Sequence, residues 1–300
     1  MYYEKGKRNL KILVTGSKGM LGQDVIKKFE KNTELIFTDH KTLDIINCKK
    51  VEEIVQKEKP NFIINCAAYT NVDKAEDEYE LANKINCIGP QNLAKSAKEV
   101  DATLIHVSTD YVFDGNLNLD KKYNEQDIAN PLSVYGKTKL EGEKGIIKYT
   151  DKYYIFRTAW LFGKNGKNFV TTILNLAKLK DKINVVLDQY GSPTYTKDLC
   201  NIIENSIEKQ IPYGIYNATN LGGISRYEFA KKIVELSNIN NCKIFPITAE
   251  KYIKTSIFKQ AYRPKNSQLS VDKLLKRGIE IPTWEDAVAR YLEEINYGTI

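Results

Sequence analysis

The 300-residue sequence predicts an α/β fold, a doubly wound parallel sheet with a smaller, mixed domain toward the C-terminus. Three observations carry that expectation. Short runs of branched apolar residues alternate with helical segments as far as residue 157, and such alternation builds parallel sheets covered on both faces. The first run passes straight into a glycine-rich turn and then a helix. Past residue 157 the rhythm loosens, which divides the chain into residues 1–157 and a second region, 158–300. Apolar pieces at 183–187 and 213–217 are expected to return to the first sheet.

Residues 1–9 are polar and read as a loose extension. Leu10-Lys-Ile-Leu-Val-Thr15 has the composition of a strand buried on both faces. Gly16-Ser-Lys-Gly-Met-Leu-Gly22 follows, and then Gln23–Glu30 with helical apolar spacing. Glycines here permit a tight turn, close approach of the backbone to a pyrophosphate, and close packing of helix on strand. The helix N-terminus adds free N–H groups and a favourable dipole. Strand, turn and helix together make this triplet a dinucleotide-phosphate site rather than an ordinary turn. A second strand, Glu34–Thr38, ends at Asp39, where a carboxylate can accept hydrogen bonds from ribose hydroxyls. That favours NADH, while His40 and Lys41 leave room for NADPH; the alternative role for Asp39 is a turn cap.

A polar helix is expected over 47–58, a strand over 61–65, and a helical stretch over 75–99 broken near Gly89-Pro90. Next comes a strand over 103–108, with His106 packed inside it, and after a long loop a helix reaching about residue 149. Asn130 suits its N-cap and Pro131 its first turn. Tyr135 and Lys139, spaced i and i+4, then share one face. A cation beside a phenol favours the phenolate and lowers a pKa that starts near ~10, giving a general acid/base. Taken alone, such a pair is a solvated helix face. A strand over 153–157 completes the first region, and helices are expected near 168–179, 196–208, 226–237 and 284–296. Gly16–Gly22, Asn65–Thr70, Thr109–Tyr111 and Arg157–Trp160 all follow strand ends, so they converge on the sheet edge where ligands bind.

Composition narrows the function. Five scattered cysteines without a C-x-x-C argue for reduced thiols in the cytoplasm, and two histidines exclude a histidine-rich metal centre. No apolar run is long enough to span a bilayer, and no signal peptide is read. The net charge of +7 is spread along the chain, which suits an anionic small molecule and marks no nucleic-acid surface.

The glycine triplet, Asn65-Cys-Ala-Ala, Ser108-Thr-Asp-Tyr-Val-Phe and Tyr135-x-x-x-Lys139 resemble the extended short-chain dehydrogenase/reductases, which combine a Rossmann-type sheet with a substrate domain. Seven ordered segments are similar to the dTDP-4-dehydrorhamnose reductase family within that superfamily. They are Asp44-Ile; Ala67-Ala-Tyr-Thr-x-Val-Asp-Lys-Ala-Glu76; Ser108-Thr-Asp-Tyr-Val-Phe-Asp-Gly115; and Pro131-Leu-x-x-Tyr-Gly-Lys-Thr-Lys-x-x-Gly-Glu143. Arg157-Thr-Ala-Trp-Leu-Phe-Gly163, Asp188-Gln-x-Gly-x-Pro-Thr194 and Arg263-Pro-x-Asn-Ser-x-Leu269 complete the set. The likeness covers residues 10 to 295, nearly the whole chain.

The resemblance implies that Thr109, Tyr135 and Lys139 are the catalytic residues, with Lys139 also holding the nicotinamide ribose. It puts Gly16, Ser17, Lys18, Gly19, Met20, Leu21 and Gly22 on the pyrophosphate, Asp44 and Ile45 near the adenine, and Ala67, Ala68, Tyr69 and Thr70 along the cofactor. Thr109, Asp110 and Trp160 would face the sugar. The implied reaction is reduction by NADPH or NADH of the C4 ketone of a dTDP-linked 6-deoxyhexose, the last step toward dTDP-L-rhamnose for cell-surface polysaccharide. Tyr69 departs from the family's more frequent histidine. Some members dimerise through a magnesium ion bound by glutamates; Asp24 is the matching position here, and no metal is assigned.

Three alternatives have sequence discriminants. A dehydratase would need a second carboxylate after Asp110, where Tyr111 stands. A 4-epimerase would keep its cofactor bound and regenerate it each turn, and the Trp160 and Arg263-Pro segments favour the reductase over it; another nucleotide-sugar 4-ketoreductase of the superfamily stands beside it as an alternative. A non-catalytic protein like the methionine adenosyltransferase regulatory subunit would lack Arg157-Thr-Ala-Trp160.

Overall fold

The computed structural model describes residues 10–31, 33–255 and 260–296; the extension read at residues 1–9 lies outside these. The first half alternates as β1 (Leu10–Thr15), α1 (Met20–Phe29), β2 (Thr33–Thr38), α2 (Cys48–Glu58) and β3 (Phe62–Asn65). It continues through α3 (Val72–Ala75), α4 (Tyr79–Asn83), α5 (Gly89–Glu99), β4 (Thr103–Thr109), α6 (Val134–Tyr149) and β5 (Tyr153–Thr158). These strands are parallel, and a sixth, Gly214–Asn217, extends the sheet beyond β5.

Alternation of side chains across the pleat, with both faces covered, explains why the strand sequences are mostly apolar. Ile12 and Val14 of β1 join Ile64, Ile105 and Phe156 on one face, against Val25 of α1. Leu13 joins Ile63, Leu104 and Ile155 on the other, against Val51, Leu93 and Ala97 of α2 and α5. With β2 on one side of β1 and β3 on the other, strand order reverses at β1. The crevice beyond the carboxyl ends of β1 and β3 is therefore where a ligand fits such a sheet.

The second half adds β6 (Leu161–Phe162), α7 (Phe169–Leu179), β7 (Lys182–Val186), β8 (Tyr190–Gly191), β9 (Thr194–Tyr195), α8 (Thr196–Glu208) and β10 (Gly214–Asn217). β11 (Ile224–Ser225), α9 (Arg226–Leu236), β12 (Lys243–Ile247), α10 (Ala249–Thr255), α11 (Asp272–Leu275) and α12 (Trp284–Glu294) follow. α8 returns to the first half, placing Leu199 and Ile203 in the α1 face of the sheet core. α7, α9 and α12 enclose a separate core around Phe162, Ile173, Phe229 and Tyr291.

Three expectations need correction. The apolar piece at 183–187 does not return to the large sheet; β7 pairs in parallel with β12 in a two-stranded sheet. Its burial alternates, with Ile183 and Val185 inside and Asn184 outside, which fits a strand covered on one face. The helical stretch is not broken at Gly89-Pro90: a π-turn over Lys84–Ile88 links α4 to α5, and Pro90 stands in the first turn of α5. The cap of α6 is Ser133, whose Oγ accepts from Gly136 N at 3.1 Å, and not Asn130, whose side chain donates to Asp114. Gly136 fixes that start, since a Cβ there would lie 2.2 Å from Tyr111 O.

Candidate active site

The glycine turn is packed so tightly that side chains are excluded. Gly16 has φ +69°, and a Cβ on it would stand 2.6 Å from Ala67 N. A Cβ on Gly22 would stand 2.3 Å from Gly16 O. Gly19 caps α1 with no side chain of its own, leaving the first N–H groups of the helix directed at the turn. This cradle, open to backbone contact and roofed by no Cβ, fits a dinucleotide pyrophosphate at the strand-order reversal. Ser17 donates its N–H to Thr38 O at 2.9 Å, tying the turn to β2. Leu21 is buried in the sheet core beneath, and Met20 reaches across to Asn168, its Sδ 3.9 Å from Asn168 Nδ2.

Asp39, at the end of β2, is nearly fully buried and ion-paired with the exposed Lys18. It also accepts from Lys41 N at 3.0 Å and Thr42 N at 3.1 Å. The Lys18 ammonium, with these N–H groups, holds its carboxyl well below the usual carboxylate range. It caps its turn, one of the two roles read from the sequence, and its pairing with Lys18 places it beside the cradle. Asp44 is exposed and accepts from Ile46 N, while Ile45 is buried against Gly89. Ala67 lies against the cradle and half-buried Ala68 follows it. Asn86, from the π-turn, clamps the Tyr69 backbone with a 2.8 Å bond to its N and a 3.1 Å bond to its O. The Tyr69 phenol donates to Glu78 at 2.6 Å, and Thr70 is exposed.

Next to this groove, the ends of β4 and α6 bring Thr109, Asp110, Tyr135 and Lys139 together. Thr109 Oγ1 donates to Asp110 Oδ1 at 3.0 Å and accepts from Tyr111 N at 3.2 Å, and the Thr109 hydroxyl lies against the Tyr135 phenol. The Tyr111 ring meets Tyr135 edge-on, with centroids 5.6 Å apart. Burial pushes the Tyr135 phenol up, opposing the lowering expected from a neighbouring cation. The reason is geometric: Lys139 turns from the phenol toward β4, with Nζ 2.6 Å from Val107 O and 3.2 Å from His106 Nε2. Burial lowers Lys139 to about 8 and raises Asp110 to about 6.

Glu143, one turn beyond Lys139, does not neutralise it, because it is occupied by the buried Arg157 (Nη2–Oε2 2.7 Å) and by Ser108. Trp160 adopts φ +45°, a left-handed conformation costly for a bulky residue. Its indole is held where a Cβ on Gly191 would come within 2.4 Å, and the Arg226 guanidinium covers its face at 3.7 Å from the centroid. Arg226 and Arg263 both line a cleft of about 650 Å³ with Phe169, Val186, Tyr252 and Tyr262. Arg263 is paired with Asp73 at 2.8 Å.

Sequence reasoning overlooked Arg226, a lone basic residue after an ordinary Ser225 cap, which no motif marks. It read His106 as a packed, hydrogen-bonded imidazole, which the structure bears out, but did not foresee Lys139 as its partner. The position matching a metal-binding glutamate does not fit a cation. Asp24 is buried and accepts from Thr196, while Glu294 is already taken by the Lys197 ammonium at 2.6 Å and by the Tyr195 phenol. Among the described residues, no cluster of metal-ligating side chains occurs.

A parallel sheet with a glycine cradle at its reversal point, and Thr, Tyr and Lys at adjoining element ends, defines an extended short-chain dehydrogenase/reductase. Residues 10–297 match the family described as RmlD substrate binding domain. A dTDP-4-dehydrorhamnose reductase from Aggregatibacter actinomycetemcomitans is 40% identical over 295 residues, covering 93% of this chain and 97% of that protein. The crystal structure of a dTDP-4-dehydrorhamnose reductase from Clostridium acetobutylicum aligns with TM-score 0.90 and 44% identity, over 96% of this chain and 100% of that one. A Bacillus anthracis dTDP-4-dehydrorhamnose reductase in complex with NADP aligns with TM-score 0.90 and 38% identity, over the same shares. The chain belongs to the dTDP-4-dehydrorhamnose reductase family.

Proposed function

We propose that the protein reduces the C4 ketone of dTDP-4-dehydro-β-L-rhamnose to dTDP-L-rhamnose with NADPH or NADH, completing the nucleotide sugar used for cell-surface polysaccharide. The observation that carries this reading is the Thr109–Tyr135 pair, with Thr109 buried and Tyr135 half-buried where the ends of β4 and α6 meet. The nicotinamide supplies the hydride when bound. Burial keeps Tyr135 in its phenol form, so it carries a proton to give to the C4 oxygen as negative charge develops there. Thr109, whose single proton goes to Asp110 in this structure, turns it to the same oxygen. Gly16 to Gly22 hold the pyrophosphate, Asp39 the adenosine ribose, Asp44 and Ile45 the adenine side, and Ala67 to Thr70 the length of the cofactor. Lys139 holds the nicotinamide ribose. Trp160 packs on the sugar, while Arg226 and Arg263 supply the positive charge for its diphosphate.

Tyr111 argues against a dehydratase, because its ring fills the place beside Tyr135 where a second carboxylate would be needed. Unpaired cysteines, with no helix among the described residues long and apolar enough to cross a membrane, support a cytoplasmic site of action. A homodimer is the assembly we propose, tested by sedimentation with and without magnesium. The activity is tested by supplying the ketosugar from upstream enzymes and following reduced cofactor. Consumption matched by dTDP-L-rhamnose is expected; no consumption would overturn the reading.

A further inference from the structure

A chain of buried polar groups runs from β1 to Lys139, and its hydrogen-bond directions are fixed by one backbone amide. Ala67 N–H can only donate, and it points at Asn65 Oδ1 at 3.1 Å; Thr15 Oγ1 donates to the same oxygen at 2.7 Å. The Asn65 amide is therefore oriented with Nδ2, a donor, 3.0 Å from His106 Nδ1. His106 Nδ1 must accept, so it carries no proton. The imidazole is fully buried, and burial holds it neutral. A neutral ring has one proton, which then sits on Nε2. That N–H points at Lys139 Nζ, 3.2 Å away. An ammonium has no lone pair to receive it, whereas an amine accepts from Nε2–H and still donates to Val107 O at 2.6 Å.

We infer that in the cofactor-free protein at alkaline pH Lys139 rests as a neutral amine and takes up a proton from solvent when the dinucleotide binds, with Asn65 and His106 as positioning residues that set the resting state. This rests on the reading of Lys139 as a cofactor-binding residue. Burial favours the amine. Glu143 on the same helix opposes it but is committed to Arg157, Tyr135 is uncharged, and the half-buried Cys66 beyond β3 is a thiol held protonated. Arg157 on β5 and His106 on β4 add no negative charge. Burial of Lys139 lowers it to about 8, so the ammonium is restored below that value and the amine prevails above it. Ribose hydroxyls and nearby phosphates favour the ammonium once bound, which gives cofactor affinity that is full below the resting value and declines as pH rises through it.

With only two histidines in the chain, a long-range proton–nitrogen NMR spectrum of the cofactor-free protein resolves each ring. One pH unit above the Lys139 value of about 8, His106 is expected with bare Nδ1 and protonated Nε2. A protonated Nδ1 would overturn the inference. At that pH, calorimetric titration with NADPH in two buffers of different ionisation heat is expected to give uptake approaching one proton per cofactor, falling toward zero two units lower. Binding without uptake at the higher pH would overturn the inference. Failure of NADPH to bind would count against the cofactor reading and leave the tautomer result standing. In Asn65→Asp the carboxylate draws the ring proton to Nδ1, Nε2 becomes an acceptor, and Lys139 rests as ammonium. Loss of proton uptake in this variant, with His106 in the other tautomer, is the expected outcome; an unchanged tautomer would contradict it.

Discussion

Along the carboxyl ends of the parallel sheet, Lys139 and Asp110 are buried and Tyr135 is half-buried, and among the described residues none forms an ion pair. Across the cleft the cations are handled differently: Arg263 is paired with Asp73 and Arg226 lies flat on Trp160. Burial alone moves ionisation equilibria, and it moves all three sheet-end groups toward their uncharged forms. Asp73 holds Arg263 above its ordinary value, and Arg226, though burial lowers it to about 10, stays charged at neutral pH, which suits recognition of a diphosphate. One side is built to exchange protons and the other to hold charge.

Tyr135→Phe gives the sharpest test of that division. It should lower kcat by roughly 10² to 10⁴ while leaving cofactor affinity nearly unchanged, because the ring stays and only the proton is lost. Near-normal turnover would mean that another group delivers the proton. Arg157→Met comes next and separates structure from chemistry. It leaves Glu143 buried without its cation, for a loss of about 3–5 kcal/mol of stability by denaturant unfolding. A loss below about 1 kcal/mol would show the pair to be dispensable.

How much of this was legible in the sequence depends on how far each signal reaches along the chain. β1, β3 and β4 could be read because a strand buried on both faces carries an unbroken or nearly unbroken apolar run. Tyr135 and Lys139 could be read because one helix sets their spacing. What Lys139 touches could not, since His106 lies on another strand and Asn65 on a third, and no spacing rule links them. β7 was misassigned because an apolar run identifies a strand without naming its partner, and here β12 lies beyond α9 in sequence. Strands of two residues, such as β6 with β9 and β8 with β11, are too short to leave any periodic trace. The left-handed turn that aims Trp160 at Arg226 likewise has no glycine or asparagine to announce it.

On the charge-holding side, Arg226→Leu should raise KM for the nucleotide sugar roughly ten- to hundredfold, as loss of a charged hydrogen-bonding group does, with a smaller change in kcat. A kcat effect without a KM effect would move Arg226 to the proton-exchanging side. The smallest effect is expected at Asp39, where the carboxylate is already engaged by Lys18 and its own turn. Asp39→Asn should shift the ratio of KM values several-fold toward NADPH, since it removes a negative charge that opposes a 2′-phosphate. An unchanged ratio would leave Asp39 as a turn cap only.

The central claim, hydride delivery to the C4 ketone of a dTDP-sugar with protonation by Tyr135, is tested most directly by isotope tracing. Reduced cofactor deuterated at the nicotinamide carbon that yields hydride would be incubated with the protein and dTDP-4-dehydro-β-L-rhamnose, and the sugar product examined by NMR. One deuterium at C4 of dTDP-L-rhamnose for each cofactor oxidised, and almost none over the same time with Tyr135→Phe, is the predicted result. A product without deuterium at C4, or one formed with no net oxidation of cofactor, would contradict it.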